Sequence, residues 1–215
     1  MRKIIDFHVH PFVKESQNTC FYKQSLSFEG NLFERDMKEA GITRVCGSVI
    51  DFAGIKVEEG FEPFRALNRD ALKKWEEWGE FYIPGVHVHP AFVKESCEEL
   101  EYMAARGVKL VGELVPYMHG WSDYSCKGFS EILDVVEQLG MVVSYHSIDD
   151  AQMEQMIKEH PEVTFVAAHP NEKDKYLLHI ERMQKYPNAY LDLSGTGIFR
   201  YGMLKHGVDT VGAER

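Results

Sequence analysis

The chain has 215 residues, with 24 basic and 34 acidic side chains for a net charge of −10, and is 44% hydrophobic and 27% charged. That balance excludes a disordered, collagen-like or coiled-coil chain, and no apolar run approaches the roughly 20 residues that a membrane helix needs. The acidity argues against a nucleic-acid backbone or an anionic membrane as main partner.

The N-terminal segment turns polar at Asp6, too soon for the apolar stretch of a signal peptide. Cys20, Cys46, Cys97 and Cys126 lie far apart and form no Cys-x-x-Cys pair, which disfavours a zinc ribbon or a thioredoxin-type site. A cytoplasmic protein with free thiols is therefore expected.

Taken in chain order, short β-branched or aromatic runs alternate with longer amphipathic ones. Strands are predicted over residues 3–10, 43–50, 81–89, 108–117, 141–146, 163–169 and 189–194. Residues 61–78 place Phe61, Phe64, Leu67, Ala71, Trp75 and Trp78 on one helical stripe. Residues 129–139 do the same with Phe129, Ile132, Leu133, Val136 and Leu139. Gly41, Gly79, Gly107 and Gly140 each follow a helical run, where a left-handed cap is wanted. Strict alternation means parallel strands with crossover helices. Seven such units predict an α/β fold, a TIM-barrel-like (β/α)8 architecture lacking strand eight, as one domain over residues 1–215. Edge strands one and seven would then lie open, so a homo-oligomer is expected.

In a parallel barrel every strand C-terminus opens onto one face, where active sites are built. His8, His10, His87, His89, His146 and His169 all fall at predicted strand ends. Residues i and i+2 of a strand share a side, so His8 and His10 both face the lumen, close enough to bind one divalent ion. An isolated pair is more simply two hydrogen-bonded histidines; His146 and His169 on separate strand ends turn the reading to metal binding. Glu113 stands amid apolar residues of strand four, where an unpaired carboxylate is costly to bury. Metal ligation, with the carboxylate bridging two ions, would relieve that cost, and so would a salt bridge at the rim.

His89 is a candidate for the pocket lining and His87 for a structural role. His119, His160, His179 and His206 are read as ordinary surface or packing residues. Asp192 and Ser194 share a face at the end of strand seven, to bond a ligand, to orient a ligand histidine, or to cap the next loop. The loops over residues 11–30 and 118–128 would roof the pocket, with Phe12, Phe21, Tyr22, Tyr117, Trp121 and Tyr124 either stacking on substrate or packing within the loops. Arg200 is a candidate for holding a substrate carboxylate.

These motifs resemble a known superfamily. Asp6-Phe7-His8-Val9-His10-Pro11 is similar to the opening signature of the amidohydrolases. The runs 68–72, 82–86, 166–170 and 190–195 resemble its amidohydrolase-related branch, which includes aminocarboxymuconate-semialdehyde decarboxylase. The resemblance implies a metal-dependent barrel in which His8, His10, Glu113, His146 and His169 bind one or two divalent ions, with Glu113 and His169 also in catalytic roles. The mixed nitrogen and oxygen donors suit zinc first, then manganese, nickel or iron. Members of the family carry an aspartate on strand eight that binds metal and moves protons, and no residue here matches it. Hydrolysis of a small-molecule amide, lactone or ester is the expected reaction. The alternatives are a decarboxylase of the same superfamily, a TatD- or PHP-type phosphoesterase, or a metal-binding protein without catalysis.

Overall fold

The computed structural model describes residues 4–14, 17, 30–195 and 200–215. Strand and helix alternate throughout, in the order β1 (Ile4–Asp6), α1 (Gly30–Glu39), β2 (Ile42–Gly47), α2 (Glu62–Trp78), β3 (Tyr82–Val86), α3 (Val93–Ala104), β4 (Leu110–Leu114), α4 (Lys127–Gln138), β5 (Val142–His146), α5 (Asp150–Glu159), β6 (Thr164–Ala168), α6 (Lys173–Lys185), β7 (Ala189–Leu191) and α7 (Met203–Val211). All seven strands are parallel and pair in sequence order. The architecture is a curled, TIM-barrel-like sheet, and among the described residues no strand lies between β7 and β1. Ile4, Ile5 and Leu193 are about half exposed along that opening.

The predicted strands are present, and all but β5, which ends at His146 as predicted, are shorter at their C-terminal ends. Pairing of β1 stops at Asp6, of β3 at Val86 and of β6 at Ala168. Their histidines therefore sit just past the ladder, where the chain turns towards the helices and its side chains are free to converge. The helical stripes pack as the periodicity demands. Phe64, Leu67 and Ala71 of α2 are buried, as are Phe129, Ile132, Leu133 and Val136 of α4, while Trp75 and Trp78 are half-buried. The four glycines that follow helical runs all take positive φ. Gly47 has a different constraint: a Cβ there would lie 2.0 Å from the Val9 carbonyl oxygen. Only glycine lets the chain carrying His10 lie this close to β2.

The main core fills the space between β3–β7 and helices α3–α6, built from residues such as Val86, Leu100, Val111, Ile132, Val143, Ile157 and Phe165. Buried polar bridges cross the same layer. His179 of α6 is 2% exposed; its Nε2 lies 3.2 Å from Ser147 Oγ, just past β5, and its Nδ1 lies 3.0 Å from an Arg182 nitrogen.

Burial, reinforced by the adjacent Arg182 guanidinium, pulls His179 down from 6.5 to about 4. The unfolded chain takes up this proton below 6.5 and the folded chain only near 4, so the contribution is whole above 6.5 and is lost as pH falls through that window. Urea denaturation between about pH 7.5 and 4.5 should show wild type losing roughly 2–3 kcal/mol more than His179→Gln. Parallel pH profiles for the two proteins would contradict the buried neutral state.

Candidate metal centre

Glu113, on β4 and 4% exposed, is the middle of the site. Its two oxygens face different pairs of rings. Oε2 lies 3.2 Å from His8 Nε2 and 3.3 Å from His10 Nε2. Oε1 lies 2.8 Å from His146 Nδ1 and 3.9 Å from His169 Nε2. The C-terminal ends of β1, β5 and β6 thus bring four rings to the one carboxylate of β4.

The outer hydrogen bonds fix which ring nitrogens carry lone pairs. His10 Nδ1 donates to the Ser48 carbonyl at 2.9 Å, and His8 Nδ1 donates to Asp192 Oδ2 at 2.8 Å. Both Nε2 atoms then turn inward and stand 3.2 Å apart. Ser194 Oγ donates to Asp192 Oδ1 at 2.5 Å, so it accepts from His169 Nδ1 at 2.9 Å. His169 Nε2 is thereby left as a lone pair aimed at Glu113.

Asp192 is therefore a fastener. Besides His8 and Ser194 Oγ, it accepts the backbone N–H groups of His169 (3.0 Å) and Ser194 (2.9 Å). It joins the chain past β1 to the chain past β6 across the opening of the sheet. His169 itself has φ +69°, left-handed backbone rare for a residue with a side chain. The Asp192 bond to its N–H and an Asn171 side-chain bond to its carbonyl (2.9 Å) hold it there. Gly195 leaves room for the ring, since a Cβ at that position would lie 2.5 Å from His169 Nδ1.

Burial pushes the Glu113 carboxyl up, but the surrounding His10, His146 and His8 side chains overcome it and hold the group well below its usual range. Asp192 is also lowered, its burial outweighed by His8 and Ser194. Burial works against charge on His8 as well, yet Asp192 and Glu113 raise it to about 10. A site with two buried carboxylates and inward-facing imidazole lone pairs calls for positive charge, and the donor set suits a divalent cation. His8, His10 and Glu113 form one group whose candidate ligand atoms lie within 4.8 Å of one another, and Glu113, His146 and His169 form a second. His8, His169 and Asp192 meet the same distance, but the Asp192 oxygens are already taken by hydrogen bonds.

Other expectations are redistributed. His89 does not line an open pocket: it is 1% exposed, donates to the His119 carbonyl at 2.9 Å, accepts from Ala91 N–H at 3.1 Å and packs on Phe64 and Phe92. His87 is buried behind His10, donating to the Val49 carbonyl at 2.7 Å. His119, His160 and His179 are buried packing residues rather than surface ones. Tyr117 is 64% exposed and meets His146 edge-on at 5.2 Å, so it stands at the solvent side of the cluster. Trp121 and Tyr124 instead pack inward on Phe129, and the Tyr124 hydroxyl donates to the His146 carbonyl at 2.9 Å. Arg200 pairs with Glu172 at the surface and does not reach the cluster. Phe12 is half-buried; Phe21 and Tyr22 lie outside the described residues. Sequence reading missed the Ser48 carbonyl and Asn171, because a backbone acceptor and a left-handed turn leave no residue pattern.

A parallel α/β sheet with its polar cluster at the strand C-termini defines the barrel-enzyme class of architecture. A family model described as amidohydrolase matches residues 5–213. The chain belongs to the amidohydrolase superfamily, in its amidohydrolase-related branch, a superfamily of metal-dependent enzymes. No curated protein matched. Among solved structures it is similar to a 2,6-dihydroxybenzoate decarboxylase from Rhizobium, with TM-score 0.74 and 14% identity over 100% of this chain and 86% of the other. It also resembles a probable 2-pyrone-4,6-dicarboxylic acid hydrolase from Acinetobacter baumannii, with TM-score 0.58 and 17% identity over 84% of this chain and 66% of the other. A third is a 5-carboxyvanillate decarboxylase from Novosphingobium aromaticivorans complexed with manganese, with TM-score 0.60 and 12% identity over 87% and 68%. At these identities the likeness is one of fold.

Asp192→Asn removes the acceptor that sets the His8 ring. Zinc affinity, measured by chelator competition, is expected to fall roughly 10–100-fold with the fold retained by circular dichroism. Unchanged affinity would contradict the fastening role.

Proposed function

We propose that this chain carries the site of a metal-dependent hydrolase acting on an amide, lactone or ester of a small molecule. The observation that supports this reading is the division of Glu113, with one oxygen facing His8 and His10 and the other facing His146 and His169. A carboxylate so placed suits a bridge between two divalent ions, zinc first by its nitrogen and oxygen donors. A divalent ion there would polarise a substrate carbonyl and lower the pKa of water to about 7.

The protein groups then divide the remaining work. His8 and His10 are held by Asp192 and Ser48 as fixed donors. His169 Nε2, 3.9 Å from Glu113 Oε1, would join His146 as a ligand of the second ion, its Nδ1–H held by Ser194 with Asp192 behind. Tyr117, exposed beside His146, would line the approach of the substrate.

A decarboxylase is the second reading, favoured by the likeness to the Rhizobium and Novosphingobium enzymes. It calls for a single ion, with Glu113 and one strand-end histidine unligated.

Elemental analysis of the protein as purified, paired with a substrate panel, separates the two. Two ions per chain and turnover of an ester, lactone or amide are expected, with His169→Asn losing one of the two ions and most of the turnover. One ion per chain with carbon dioxide release from a hydroxybenzoate would overturn the hydrolase reading in favour of the second.

A further inference from the structure

Behind the His146 and His169 side of the cluster runs a line of polar groups that the proposed chemistry does not use. Ser147 directly follows His146, and its hydroxyl lies 3.2 Å from His179 Nε2 and 3.4 Å from the Ala168 carbonyl oxygen. His179 Nδ1 lies 3.0 Å from Arg182 Nη1, and Arg182 Nη2 donates to Asp150 Oδ1 at 2.9 Å. Lys175 pairs with the same carboxylate. His179 and Arg182 are both buried, so water does not compete for these bonds.

The protons in this line are fixed by one fact. A guanidinium only donates. Arg182 therefore makes His179 Nδ1 the acceptor, and the neutral ring must carry its proton on Nε2. That N–H donates to Ser147 Oγ, and the Ser147 hydroxyl is left to donate to the carbonyl of Ala168, the residue before His169. The line thus ties the chain next to His146 to the chain next to His169. Their rings stand 5.1 Å apart, edge to face.

We propose that His179 is a positioning residue: the tautomer that Arg182 imposes on it pins Ser147 against Ala168 and so sets the spacing of His146 and His169, the pair facing Glu113 Oε1. The inference rests on the cation-binding role proposed above for those rings. A merely structural role for His179 would weaken the whole fold and both halves of the site alike; a positioning role weakens one half.

The test is zinc(II) titration by calorimetry of wild type, His179→Gln and His179→Leu. Glutamine keeps both bonds, its carbonyl accepting from Arg182 and its amide donating to Ser147, and should bind two ions as wild type does. Leucine should hold the first ion within about twofold and lose roughly 10–100-fold on the second. Equal loss on both ions, or no loss, would overturn the proposal. Should the leucine variant fail to fold, Arg182→Met removes the donor that imposes the tautomer and makes the same test. Nitrogen NMR of the metal-free protein is the independent readout. His179 is expected as the Nε2–H tautomer, with His179→Leu shifting the ring signals of His146 and His169 and sparing those of His8 and His10; an Nδ1–H tautomer overturns the proposal. Failure of wild type to bind zinc would defeat the metal reading alone, and the NMR result would still decide this one.

Discussion

A carboxylate in the middle of an apolar strand is costly to bury unless its charge is answered. Glu113 is such a group, and the strand-end geometry of the whole sheet is arranged to answer it. β1 contributes two rings from one side, while β5 and β6 contribute one each from the other. No lysine or arginine among the described residues takes part in this cluster, so the compensating charge comes from a proton or from a bound cation. The inward lone pair of His10 and the proton demand of His8 express the same constraint from the ring side.

Positioning then depends on groups that never face Glu113. Asp192 accepts four hydrogen bonds and links His8 to His169 across the opening between β7 and β1. It sets two ring tautomers, one directly and one through the Ser194 hydroxyl. The left-handed backbone at His169 is tolerable because its N–H and carbonyl are both tied down. On the opposite side, Ser147 and His179 brace the chain beside His146. His8, His10 and His169 are thus each held by a bond on the ring nitrogen that does not point inward, which is how a donor set is kept ready at little entropic cost on binding.

Much of this was legible in the sequence, for physical reasons. Alternation of period-two and period-3.6 patterns does not depend on distant contacts, so the seven strands and the stripes of α2 and α4 could be read directly. Parallel strands put all their C-termini on one face, so histidines at strand ends had to gather even before any distance was known. His89, Trp121 and Tyr124 were different. Each lies near a strand end or in a roofing loop, and whether it faces the lumen or the helical layer is decided by local turns after the strand. Asp192 showed its position but not its partners, because its bonds span 184 residues to His8 and 23 to His169. Arg200 was placed on a loop whose course the pattern does not fix, and it pairs with Glu172 instead.

The central claim is that the two oxygens of Glu113 serve two separate cation-binding halves. Anomalous diffraction from crystals grown with zinc tests it most directly. Two anomalous peaks are predicted, one within bonding distance of Glu113 Oε2, His8 and His10, the other of Oε1, His146 and His169. A single peak with Glu113 outside its coordination sphere would contradict the account.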